Sequence, residues 1–498
     1  MPTRRPRRDR DRQSRLFDDE SSQADSPEDP GAARIIQEFQ RREHPDVVDA
    51  EIEEEAADDK ASGDAEDTLP GEKPVAHDDD APQEQAGGEG SWVEGEDGVS
   101  DDGQHGEPET APEHTAEQRA DAKRYEAIHN RLFLADIGAT VVAIVLFLLL
   151  GLSTKLQLFI QDRMTENAFA VSAFYGIIVT ILYYFIVLIP LHYVDYRCEE
   201  RFGLTRQSPA AWFYDEFKSM GINMVVLVGF LVLVYGLLRA TAAYWWLWAA
   251  GAWTVFVVVA TKLAPVLLIP IFYKKEPLAD EELAERLRHL VERVQMSVVA
   301  VEKLGLGAKT AKANAMLAGL GGTKRVLLGD TLLQHFTPDE IETVLAHELG
   351  HHYHNHIWKM IAAGAVATFA GFFVASIVLR ELVAALADRL LFSGMADVAT
   401  FPILAAALLV MALITMPTTN AFSRALERQA DHFALQLTRK PDAFISAMRR
   451  LAVQNLADTA PSPVVEALLY GHPSISRRIA AAERFREEAR TGLWDRGA

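Results

Sequence analysis

Six stretches of this chain, 137–154, 168–191, 220–238, 240–261, 360–379 and 398–423, contain almost no Asp, Glu, Lys or Arg over 18 to 26 residues each. At 1.5 Å per residue, a helix of that length crosses a hydrocarbon layer of roughly 30 Å. Any one of them could be the core helix of a soluble domain. Six in one chain read as membrane spans, and the lipid bilayer as the chain's surroundings. The loops orient the bundle. With the N-terminus inside, the loop 192–219 (Arg197, Arg201, Arg206, Lys218) and the basic segment 274–359 are cytoplasmic. The outside connections then carry only Lys155, Arg163, Arg239, Arg380 and Arg389, as the positive-inside rule requires. The two large polar segments, 272–358 and 424–498, therefore share the cytoplasmic face, and a site built from both is topologically allowed.

Charge is confined elsewhere. Residues 1–120 hold about 36 acidic and 13 basic side chains, which more than accounts for the net charge of −21, so the remainder is slightly basic. From 46 to 117 there is almost nothing aromatic or β-branched to bury, and like charges repel, so this tail is expected to be disordered. Its first 15 residues are Arg-rich, and no apolar run follows to make a secretory signal. They could touch anionic lipid or nucleic acid, or simply attract the acidic part of the same arm. The last reading is taken, and no nucleic-acid partner is expected. The composition excludes a simple acidic soluble enzyme. With Cys198 as the one cysteine, an intrachain disulfide, a zinc finger and an iron–sulfur centre are excluded too. Cys198 itself reads as a small apolar filler.

Chemistry enters at 337. Thr337-Pro338-Asp339-Glu340 has the form of a capping box with Pro at the first helical position, and predicts a helix through His347-Glu348-Leu349-Gly350-His351. Four residues apart, His347 and His351 project from one face, and Glu348 can reach a metal-bound water. This is the HExxH arrangement of zinc peptidases, although ordinary histidines on a surface helix produce the same letters. A catalytic zinc needs a third protein ligand and an open position. Beyond the last span, Glu427 and Asp431 stand four apart, so that one carboxylate could bind metal while the other accepts an N–H from a ligand histidine. A solvated helix face gives the same spacing. His352, His354 and His356 extend the cluster and read as interfacial side chains where the helix enters the membrane at Trp358, rather than as a second metal site.

Together these segments resemble the membrane zinc metalloproteases that include type 1 CAAX prenyl proteases and HtpX-type proteases. His347-Glu348-Leu349-Gly350-His351 precedes one span, and Ser423-Arg424-x-x-Glu427-x-x-Ala430-Asp431 follows the next. The CAAX type is favoured by the loop Phe202-Gly203-Leu204-Thr205-Arg206-Gln207-Ser208, by Ala264-Pro265 through Ile269-Pro270-Ile271-Phe272, and by Lys312-Ala313-Asn314-Ala315 ahead of Lys324 to Leu333. Gly471-His472-Pro473-Ser474 with Arg478 completes the order. Six spans are counted where the eukaryotic CAAX enzymes have seven, and Met316 stands where that family often has an aromatic.

The resemblance implies a mainly α-helical multi-pass membrane protein whose cytoplasmic zincin-like metalloprotease domain contains a small β-sheet. The organisation expected is a disordered acidic tail over 1–120, a four-helix membrane region over 121–271, and a metallopeptidase domain over 272–498 that includes two further spans. It also implies one Zn2+ per chain on His347, His351 and Glu427, with Glu348 as general base and then proton donor, and Asp431 orienting a ligand histidine. His472, helped by Arg478, would stabilise the oxyanion, although Gly-His-Pro alone reads as a turn before a helix. Asn314 and Ala315 would lie on an exposed edge strand to which an extended substrate adds. The function expected is zinc-dependent endopeptidase action on membrane-associated, CAAX-type peptides. Quality control of membrane proteins, in the HtpX manner, and an inactive peptide-binding scaffold are the alternatives. Abundant Ala and Arg point to a bacterial plasma membrane rather than the endoplasmic reticulum.

Overall fold

The computed structural model describes residues 114–296 and 300–491, so the expected disorder of the tail falls, up to residue 113, outside the described residues. The first helix, α1 (Ala116–Leu149), nevertheless begins inside the stretch 1–120 assigned above to the tail. Thr115 and Gln118 form a reciprocal capping box that satisfies two of its first N–H groups. It also ends early. Gly151 adopts the left-handed conformation (φ 61°), so the apolar stretch 137–154 is divided, and a separate helix α2 (Leu152–Arg163) follows.

Next come α3 (Ala168–Arg201), α4 (Pro209–Ala240) and α5 (Trp245–Phe272), and later α9 (His356–Leu390) and α10 (Phe401–Thr438). With α1, six helices among the described residues are long and apolar enough to cross a membrane, the last counted from Val398; they run from 28 to 41 residues. At 1.5 Å per residue they measure from about 42 to about 60 Å, so each extends beyond a hydrocarbon core of about 30 Å. Inside the bundle, where no water is available, several polar groups find protein partners. Ser153 Oγ meets Tyr175 Oη at 2.6 Å and donates to Ala399 O at 2.6 Å, and Tyr235 Oη lies 3.0 Å from Thr400 Oγ1. Around them Leu231, Trp245, Phe372 and Leu404 are buried.

The polar segment after α5 builds a small mixed sheet from β1 (Lys275–Pro277), β2 (Ala300–Leu304), β3 (Ala315–Ala318) and β4 (Arg325–Gly329), in the order β1-β2-β4-β3. The pair β2/β4 is parallel and the other two pairs are antiparallel, which leaves β3 at an edge. Helix α6 (Glu281–Arg293) lies between β1 and β2; α7 (Asp330–His335) and α8 (Pro338–Tyr353) follow β4. After α10 come α11 (Pro441–Gln454), α12 (Pro463–Leu469) and α13 (Ile475–Arg490). Leu287, Val326, Leu345, Leu349, Ala434 and Phe444 share one core, so α8 is clamped among the sheet, α6, α10 and α11. The capping box at Thr337 starts α8 where its spacing predicts.

Candidate active site

Helices α8 and α10 cross closely enough that a Cβ on Gly350 would stand 3.1 Å from Ala430 Cα and 3.2 Å from Ala430 O. Only a glycine allows that approach without displacing the neighbouring backbone. The crossing brings Glu427 of α10 to the histidines of α8. His347 Nε2 and His351 Nε2 are 3.1 Å apart, His347 Nε2 lies 3.3 Å from Glu427 Oε2, and His351 Nε2 lies 3.4 Å from Glu427 Oε1. A tetrahedral ion bound at about 2.0–2.1 Å separates its ligand atoms by about 3.3 Å, and one donor atom from each of the three side chains lies within 4.8 Å of the others, close enough for all three to reach one ion. Glu427 Oε2 is buried and has no hydrogen-bond partner among the described residues, an acceptor turned toward a cation. The donor set therefore fits a metal ion.

Burial opposes charge on His347, yet the neighbouring Asp431 and Glu427 carboxylates carry its pKa to about 9; burial and the charge of His347 hold His351 at about 3. His347 Nδ1 lies 2.9 Å from Asp431 Oδ1. Arg478, on α13, in turn donates to Asp431 from Nε at 2.9 Å and from Nη2 at 2.5 Å. Arg478, which the resemblance casts as a helper of His472, is aligned on Asp431, with Nη2 3.4 Å from His347 Nδ1.

Glu348 faces the edge strand. The Leu317 N–H donates to Glu348 Oε2 at 3.4 Å, and His352 Nε2 donates to Leu317 O at 3.1 Å. Burial pushes the Glu348 carboxyl above its ordinary range, and a dication beside it would act in the opposite direction. Because Asn314 O accepts from Gly329 N at 2.9 Å, that carbonyl faces β4. Backbone alternation then turns the N–H and C=O of Ala315 outward, on the same edge as Leu317. Asn455 holds the approach to this edge, accepting from Ala313 N at 2.8 Å and donating to Ala313 O at 3.2 Å.

His472 borders the same carboxylate, with Nε2 3.2 Å from Glu427 Oε1 and its side chain 68% exposed. Its segment is tied down by Arg424, which donates to Glu466 O at 3.0 Å and to Tyr470 O at 2.5 Å, while Asn420 Nδ2 reaches Leu468 O at 2.8 Å. Glu466 Oε1 accepts from Ser474 N at 3.3 Å on the other side. The spacing of Ser423-Arg424 after a span is visible in the sequence, but not that Arg424 grips the carbonyls of α12. The positions of Asn455, Glu466 and Gln429 have no motif to flag them.

Residues 277–486 match peptidase family M48, and residues 104–274 match the N-terminal family of CAAX prenyl proteases, described as five membrane helices. The uncharacterized metalloprotease YhfN of Bacillus subtilis is 26% identical over 363 residues, covering 73% of this chain and 85% of its own length. CAAX prenyl protease 1 of Saccharomyces cerevisiae is 28% identical over 319 residues, 61% of this chain and 70% of that one. The crystal structure of S. mikatae Ste24p superposes with a TM-score of 0.66 at 22% identity, over 75% of this chain and 91% of that chain, and shares the fold. The two family matches together span residues 104–486, and over that length the chain is similar to the M48 membrane metalloproteases. It is a multi-pass integral membrane protein and a metal-dependent hydrolase of peptide bonds.

Proposed function

We propose that this enzyme is a zinc endopeptidase with one ion per chain, held by His347, His351 and Glu427, and that it cleaves membrane-associated CAAX-type peptides, prenylated ones among them. The observation that carries the metal assignment is the set of three mutual separations, 3.1, 3.3 and 3.4 Å, among the three donor side chains. Zinc at such a site supplies Lewis acidity and lowers the pKa of water. The chain's own groups do the rest. Ala315 receives the substrate backbone as an added strand, with Asn314 at its start and the Leu317 carbonyl already engaged by His352. Glu348 takes the proton of the attacking water and returns it to the leaving amine. His472, exposed and bordering Glu427, donates to the carbonyl oxygen as charge grows there. Asp431 keeps the His347 proton on Nδ1, leaving Nε2 free to ligate.

The substrate class is supported by the names of the yeast, plant and animal relatives, each a CAAX prenyl protease 1 or its homologue. Purified protein in detergent should cut a farnesylated CAAX peptide faster than the same peptide without the isoprenoid, and faster than an unfolded membrane protein. Preference for the unfolded protein would favour the quality-control alternative, and cutting of neither substrate would refute both. We further propose that the site faces the cytoplasm of a bacterial cell, supported by the basic loops at this end of the bundle. Cys198 is the one cysteine and is buried, so a single exposed thiol can report the side. In intact cells, Glu285→Cys on α6 should resist an impermeant maleimide until the membrane is opened; immediate labelling would reverse the topology.

A further inference from the structure

His351 must present a bare Nε2 to act as a ligand, and this requires its proton on Nδ1. That nitrogen points at another histidine. His356 Nδ1 lies 3.0 Å from His351 Nδ1, and His356 Nε2 lies 3.1 Å from Gln429 Oε1. Only one arrangement of protons satisfies all three groups. His351 Nδ1–H donates to His356 Nδ1, and His356 Nε2–H donates to the Gln429 carbonyl oxygen, with the amide orientation set by the same chain.

His356 is 2% exposed, so this is a built contact and not a surface encounter. The backbone arranges it. Asn355, between α8 and α9, is left-handed at φ 54°, which turns the first residue of the membrane helix α9 back onto the metal helix. Asn is among the few residues that tolerate this conformation.

We infer that His356 is a positioning residue, backed by Gln429, that fixes the tautomer and ring orientation of His351 for metal binding. The inference rests on the metal site proposed above. It completes a pattern in which one stretch of α10 serves both histidines: Asp431 holds His347 directly, and Gln429 holds His351 through His356. The two supports differ in charge. A carboxylate stands behind His347 and a neutral imidazole–amide pair behind His351, so removing the latter disturbs orientation more than basicity.

The test is a zinc titration of the full-length, metal-stripped protein in detergent against a chromophoric chelator, together with the visible spectrum of the Co2+-substituted form. His356→Ala should weaken zinc binding about 10- to 100-fold and change the cobalt ligand-field bands, as loss of a histidine's outer hydrogen bond does elsewhere. His356→Asn, whose Oδ1 can accept from His351 Nδ1, should recover most of the affinity. Gln429→Met should weaken binding less than His356→Ala, and the double variant no more than His356→Ala alone. Wild-type affinity and an unchanged cobalt spectrum in His356→Ala would overturn the inference, as would full additivity in the double variant. If His356→Ala does not fold, Gln429→Met, at an exposed position, decides: wild-type affinity there overturns the inference. Glu427→Ala in the same assay separates the two readings. It should lose zinc altogether; if it retains zinc, the metal site itself is wrong, whereas loss there with no change in His356→Ala refutes the positioning role alone.

Discussion

Glu348→Gln should abolish peptide cleavage, with kcat/KM down roughly 10^2- to 10^4-fold, the range for removal of a general base, while zinc affinity stays at the wild-type value. The amide has the shape of the carboxylate, and its oxygen can still accept from the Leu317 N–H that reaches Glu348 Oε2 at 3.4 Å, so the edge strand keeps its place. It cannot accept a proton from water at neutral pH. Metal binding is untouched because the three donors are His347, His351 and Glu427, and none of their mutual separations involves Glu348. The experiment measures zinc per chain and cleavage on the same preparations. Cleavage that survives Glu348→Gln would remove Glu348 from the chemistry, and loss of zinc would make it a ligand.

Much of this architecture is local and therefore legible. Nearly charge-free stretches of 18 or more residues identify spans because lipid leaves a charged side chain no partner. The Thr337 capping box sets the start of α8 through groups three residues apart. A second capping box, at Thr115 and Gln118, has the same form, but it lies at the margin of an acidic tail whose composition argues against structure. Gly151 is hidden for a different reason: a glycine inside an apolar run leaves hydropathy unchanged while ending the helix. What the sequence withholds at the site are contacts across long chain separations. Asn455 grips Ala313 from 142 positions away, and Arg478 reaches Asp431 from 47. The neighbours Trp358 and Lys359 place His356 at the membrane interface, and only the left-handed Asn355 returns it to His351.

Arg478 carries the second large effect. Arg478→Leu leaves the Asp431 carboxylate buried without its guanidinium, and breaking one half of a buried ion pair costs about 3–5 kcal/mol. The melting temperature of the zinc-loaded protein in detergent should fall by several degrees. The double variant Arg478→Leu, Asp431→Asn removes the stranded charge along with its partner and should be more stable than Arg478→Leu alone. The amide that replaces the Asp431 carboxylate would keep an oxygen to accept from His347 Nδ1, so zinc affinity should return with stability. Activity separates two roles for the arginine. If Arg478 acts only through Asp431 and His347, the double variant recovers kcat along with zinc. If the guanidinium also stabilises charge on the reacting carbonyl, kcat stays low while zinc and melting temperature recover. The bidentate contact with Asp431, at 2.9 and 2.5 Å, favours the first outcome, because it already engages Nε and Nη2 of Arg478. A double variant no more stable than Arg478→Leu would mean that the pair is not what holds α13 to α10.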